Sequence, residues 1–363
     1  MADFPPIARA PIAILGIVSL VAGVLSGLAR LGWEMPSLAV NAVGVHGALM
    51  ISAFFGTVIS LERAVAIGRC WAYQAPIAAG ASGIAMLGGA TSLAQFLSIY
   101  ASLVMVVANI HVLRRLTAPF TIVLASGALC WLLGVIAWVS TDSPSAATPW
   151  WFSFLVLTIA GERLELSRFI PTPKIALQAF YVIVCAVFIG ATVSLFDERV
   201  GLMVFSFAQL LMAGWLLCFD IAWRNARRDG LPRFIAACLL SGYVWLGVAG
   251  ALGIGGGFAL GDPWRDSTLH AIGLGFVFSM VFGHAPIIFP AVARVKIPYH
   301  AMFYLPLLAL HMTLVVRVWG GLIDDFSMRR IGGMANAVAL ILFFSVLVIS
   351  VLRGLRILPG KSD

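Results

Sequence analysis

The chain is 363 residues long, 61% hydrophobic and only 10% charged, with a net charge of +8. Soluble domains are about one quarter charged, and a chain this apolar cannot hide its surface from water, so a soluble enzyme is excluded. In lipid the composition is ordinary, because backbone groups are satisfied within helices. The ten-residue alternation of an outer-membrane barrel is not seen. What remains is an all-α polytopic membrane protein with no soluble domain.

Runs of about twenty mostly apolar residues can cross the hydrocarbon core. They fall near 10–30, 37–61, 74–94, 96–113, 118–140, 149–167, 175–195, 200–222, 233–256, 267–292, 299–320 and 331–353. They predict about twelve transmembrane helices in a single domain over 1–363. The first follows Arg9, is long enough to span and has no A-x-A-like site after it, so it reads as a helix rather than a removable signal. Gln95 is the only strong interruption between the third and fourth runs. Connections are short, and even 141–149 is too small to be a domain. With the N-terminus inside, Arg30, Arg199, Arg265, Arg317, Arg329 and Arg330 fall outside, and the other seventeen of the 23 basic residues, Lys361 among them, fall inside. This bias predicts both termini on the cytoplasmic side of the inner membrane. It accounts for the positive charge without a nucleic-acid partner, since no basic face exists beyond these loops. Membrane lipid is the expected partner.

Cys70, Cys130, Cys185, Cys218 and Cys238 lack CxxC spacing and lie in or beside apolar runs, so they read as small hydrophobes. Residues 110–139 and 221–252 resemble one another: each runs from a helix end through an arginine pair and a proline into a helix with a central Trp-Leu. Residues 8–28 fit the same frame more loosely, with Pro11, Pro119 and Pro232 as equivalent points. LERAVAIGRCWAYQAP, GERLELSRFIPTP and GHAPIIFPAVARVKIP each close a helix and lead through basic residues to proline, ending helices two, six and ten. These echoes predict three pseudo-equivalent four-helix units, 1–116, 117–230 and 231–363.

Ionisable residues inside a bilayer are functional candidates by default. His46 lies in helix two, His270 opens helix ten, His284 lies further along it, and His311 is central in helix eleven. His111 and His300 fall at helix ends and read as structural. Levelling helices two and ten on Glu62 and His284 puts His46 sixteen and His270 fourteen residues above that level, about 3 Å apart in depth. Two imidazoles at matched depth can hold one haem iron from opposite sides. Gly44, Gly47, Gly273 and Gly275 lie nearby and would let a flat macrocycle approach the backbone.

In helix number, threefold repeat and histidines on helices two and ten, the chain resembles subunit I of the haem–copper oxidases and nitric oxide reductases. In helix count it is also similar to the NnrS family of haem- and copper-containing membrane proteins. The oxidase resemblance implies that His46 and His270 are the axial ligands of a low-spin b-type haem. It also marks departures. The family's copper histidines on helices six and seven have no counterpart, because 149–195 contains no histidine. The second helix-ten histidine is replaced by Thr268 or Ile272. A conventional oxygen or nitric oxide reductase is therefore not expected, and at most the electron-transfer half remains.

A second constellation is Glu62, Glu162 and His284, placed by the repeat at equivalent ends of helices two, six and ten. Such a set can bind a metal or relay protons, while the neighbouring Arg63 and Arg163 allow plain interfacial ion pairs. On straight helices Glu62 sits about 160° from His46, and His284 about 40° from His270. Helix ten can then serve both sites, and helix two cannot unless Gly56 marks a kink. Met50, Met280 and Met312, near His46, His284 and His311, make copper a further candidate. The expected function is thus haem-based electron transfer or a redox or nitric-oxide-related role with a redox partner protein. The competing reading is a copper or small-solute transporter with an intramembrane polar site.

Overall fold

The computed structural model describes residues 3–168 and 172–356, and all regular structure among them is helical. Residues 169–171 of the helix-six motif, and Lys361 of the basic set, lie outside the described residues. The long helices are α1 (Pro6–Arg30), α2 (Val43–Ile67), α3 (Gln74–Leu87), α4 (Thr91–Arg115), α5 (Pro119–Thr141) and α6 (Thr148–Leu166). They continue with α7 (Lys174–Val193), α8 (Glu198–Phe219), α9 (Leu231–Ile254), α10 (Arg265–Pro290), α11 (Ala301–Leu322) and α12 (Phe326–Arg356).

Among the described residues, ten of these are long and apolar enough to cross a membrane. The exceptions are α3 and α6. At 14 residues α3 is about 21 Å long, short of a 30 Å hydrocarbon core. Its end differs from the expected 74–94: Gly88 and Gly89 break the helix, with Gly89 at φ 73, and α4 starts at Thr91. Gln95, expected between the two, lies within α4, and its amide Nε2 donates to Asp142 Oδ1 at 3.4 Å. Helix α6 has the length but carries Glu162, Arg163 and Glu165 near its end.

Proline sits in the first turn of α1, α5, α6 and α9, where its missing N–H costs no helical bond. Gly68, in the left-handed conformation at φ 65, closes α2 by donating its N–H to Ala64 O.

The chain divides into two units, residues 1–208 and 209–363, with the division inside α8. In the first, α1 packs on α2 and α3, and α3 to α6 pack each on the next. Trp131 is stacked on Phe154 at 5.2 Å, Trp138 meets Trp151 edge-on at 5.8 Å, and all four are fully buried. Gly56 makes room for Trp131, since a Cβ there would lie 2.5 Å from the indole. In the second unit α9 packs on α10, α10 on α11 and α11 on α12, and Phe282 stacks on Phe343 at 3.8 Å. Large apolar side chains also point outward along the helices, among them Ile14 and Val21 on α1, Val182 and Ile189 on α7, and Ile341 and Val348 on α12. A row of that kind needs an apolar solvent.

Candidate functional site

Each candidate histidine is held by a specific partner, and the partner decides its tautomer. In α2, the His46 Nδ1 lies 2.7 Å from Gly23 O on α1. A carbonyl can only accept, so Nδ1 carries the proton and Nε2 is the lone-pair nitrogen of the neutral ring. One turn further along α1, a Cβ on Gly27 would lie 2.9 Å from His46 Cε1. The Gly23-x-x-x-Gly27 face of α1 is therefore the seat of this imidazole, a use of small residues common where membrane helices approach closely.

In the second unit, His270 Nδ1 lies 2.8 Å from Asp266 O, one turn earlier on α10, and 3.3 Å from Asp266 Oδ1. The same carboxylate receives Arg317 of α11 in a two-pronged pair, Nε to Oδ2 at 2.9 Å and Nη2 to Oδ1 at 2.8 Å. Arg317 is buried. His284 Nδ1 lies 2.7 Å from Met280 O. All three rings thus present Nε2 as the basic nitrogen, the arrangement in which a backbone carbonyl or carboxylate orients a metal-ligating histidine.

His311 is the opposite case. Its Nδ1 accepts from the Trp245 indole Nε1–H at 2.9 Å, and an indole N–H can only donate. The proton of neutral His311 is therefore on Nε2, a buried atom with no hydrogen-bond partner. As it stands this ring is a donor and suits an acceptor better than a metal ion. Met312, the next residue, is 60% exposed.

The backbone after His46 and His270 is unusual in the same way. Residues Leu49–Phe55 of α2 and Ala271–Phe278 of α10 are π-helical. A π turn inserts one residue into an α-helix and recurs at functional sites. One inserted residue shifts all that follows by about 100°. The straight-helix geometry is thereby inverted: Glu62 moves from about 160° to about 60° from His46, and His284 from about 40° to about 140° from His270. Helix α2, not α10, brings its two candidate groups toward one face. Around the histidines a Cβ on Gly44, Gly47 or Gly273 would meet nothing within 4 Å, so these glycines border open space. Gly275 does not: Trp245 Cγ would be 2.4 Å from its Cβ, and that glycine serves helix packing.

Residues 9–352 match the family described as a domain of unknown function, DUF8744. The chain belongs to that family. None of the curated proteins matches its sequence.

The second constellation lies partly in the first unit. Glu162 is within electrostatic reach of Glu62, Arg63, Arg163 and Glu165, so the ends of α2 and α6 bring three carboxylates and two guanidinium groups together. Arg163 is buried, and Glu62, Arg63 and Glu162 are half-buried. Among the described residues no three His, Cys, Asp or Glu side chains are placed to hold a metal ion. The two histidines read as structural have local roles: His300 caps the first turn of α11 by accepting from Met302 N–H at 3.2 Å, and His111 packs edge-on to Trp71 at 5.7 Å.

Asp266 and Arg317 were not among the sequence-derived site residues. Asp266 stands four residues before His270, a visible helical spacing. Arg317 is 51 residues from its partner and was readable only as an isolated charge in an apolar run.

Proposed function

We propose that this protein is a twelve-helix integral membrane protein of oxidase-like architecture that binds b-type haem, with His46 and His270 as the axial-ligand candidates. Its role is electron transfer, or a redox or nitric-oxide-linked function served by a redox partner. The observation that carries this reading is shared by the two histidines. Each has its Nδ1 proton held by a carbonyl, leaving Nε2 basic, and each precedes a π-helical segment, His270 directly and His46 by three residues. Gly47 and Gly273, each close in sequence to its histidine, border open space, which is compatible with a flat group approaching either helix. A haem bound there supplies one-electron chemistry at its iron. The chain's own groups hold the imidazoles in orientation: Gly23 and Gly27 at His46, Asp266 and Arg317 at His270.

Twelve spans in units 1–116, 117–230 and 231–363 are part of the same proposal, with α3 and α6 completing the ten apolar helices. The shared histidine-plus-π pattern of α2 and α10 supports their equivalence as second helices of two such units.

Oxidised and dithionite-reduced absorption spectra of the purified protein test the haem reading. A sharp reduced α band of bis-histidine b haem is expected, and it should be lost in both His46→Ala and His270→Ala. A featureless spectrum from folded protein made with haem available overturns the reading, and a full spectrum in either variant removes that ligand.

The group of half-buried Glu62, Arg63 and Glu162 with buried Arg163 favours a second reading, transport of copper or another small solute with His284 as a further polar residue. Haem-free uptake into proteoliposomes that depends on Glu62, Glu162 and His284 would establish it instead.

A further inference from the structure

The loop between α8 and α9, which leads into Arg233 in the first turn of α9, carries Arg224, Arg227 and Arg228. Its two carboxylates are both engaged. Asp220 is buried, and its Oδ1 accepts from Ala222 N–H at 2.7 Å, at the start of the single turn Ala222–Asn225. Asp229 pairs with Arg233 at 2.9 Å, and Arg233 Nε also donates to Arg228 O at 2.9 Å. Arg224, Arg227 and Arg228 are exposed, and among the described residues no carboxylate pairs with them. Three uncompensated guanidinium groups within five residues thus stand at the ends of two apolar helices.

Trp223 fixes where this cluster sits. Its ring is 53% exposed, yet its indole Nε1–H donates to Leu217 O at 2.6 Å, pinning the indole against the last turn of α8. An exposed, oriented tryptophan at a helix end marks the headgroup level of a bilayer. The arginines next to it are at phosphate level. Guanidinium donors match phosphate oxygens in geometry as well as charge.

We propose that Arg224, Arg227 and Arg228, with Trp223 as the interfacial anchor, form a binding site for the phosphate headgroup of an anionic phospholipid. Positive charge that served only to orient the chain during insertion would need neither the pinned indole nor three guanidinium groups left without carboxylates. Each arginine near an anionic surface contributes about a fivefold preference, so three give roughly 100-fold over a zwitterionic lipid.

The test uses the full chain in mixed micelles, with native mass spectrometry after addition of phosphatidylglycerol, cardiolipin or phosphatidylcholine. Wild type should retain the anionic lipids preferentially. Arg224→Gln/Arg227→Gln/Arg228→Gln should lose that preference by one to two orders of magnitude. Arg114→Gln/Arg115→Gln, an exposed basic pair elsewhere, should keep it. All the substituted side chains are exposed, and size-exclusion profiles confirm that each variant is folded. An unchanged preference in the triple variant overturns the proposal, as does an equal loss in the control pair, which would indicate diffuse charge. Displacement of the lipid by millimolar inorganic phosphate would reassign the site to a free anion and also overturn it.

Discussion

Replacing Asp266 by Asn tests whether the Asp266–Arg317 pair is a working part of the second unit. The substitution keeps the shape of the side chain and removes its charge, leaving the Arg317 guanidinium, 8% exposed, with no anion. Removing one member of a buried pair typically costs about 3–5 kcal/mol. Asp266 keeps 23% of its side-chain surface, so about 2–3 kcal/mol is the better expectation here. Arg317→Gln strands the carboxylate and should cost a similar amount. The double variant strands neither charge, so its cost should fall below the sum of the singles by about 1–3 kcal/mol. Equilibrium unfolding in mixed micelles, followed by tryptophan fluorescence, measures all four corners of this cycle. Additive single effects, or a cost below about 0.5 kcal/mol for Asp266→Asn, would refute the coupling and with it the role assigned to the pair in holding His270.

Gly27→Ala places a methyl 2.9 Å from His46 Cε1 and must turn the imidazole away from Gly23 O. A loss of about 1–3 kcal/mol is expected, together with weakened haem retention, read by the absorbance ratio of haem to protein. Gly275→Ala drives a methyl to 2.4 Å from Trp245 Cγ and should break the Trp245–His311 bond, at a cost of about 1–3 kcal/mol with a shift in tryptophan emission. An unshifted spectrum with full stability would show that the indole has room to move. Tyr73 donates its hydroxyl to Asp3 at 2.7 Å, and burial, reinforced by that bond, raises its pKa above the ordinary phenol value. A raised folded-state pKa favours the neutral phenol, so its contribution is complete below the unfolded value, about 10. The contribution is lost as pH rises through the folded value. Tyr73→Phe should therefore cost about 0.5–1.5 kcal/mol at neutral pH and flatten the alkaline fall in stability. Identical alkaline slopes in the two proteins would remove Tyr73 as its source.

Solvent preference and helix positions are local properties, and they were legible in the chain. Apolar length alone located the helices, because a membrane span has to satisfy its own backbone within about twenty consecutive residues. It misplaced the end of α3, where Gly88 and Gly89 break a run that hydropathy reads as continuous. His46 and His270 could be singled out because buried ionisable groups are scarce in such a sequence. What they do with their protons could not. The donor on each ring depends on a carbonyl or indole brought up by another helix or by the local turn: Gly23 for His46, Asp266 for His270, Trp245 for His311. The π turns after His46 and His270 have no sequence signature either, since one added residue per helix leaves hydropathy unchanged while rotating the rest of the helix by about 100°. The Asp266–Arg317 bond closes across 51 residues, so only the packing of α10 on α11 could reveal it. Composition decided where this protein can exist. Helix packing decided which ring nitrogen carries the proton in His46 and His311, and the local turn decided it in His270.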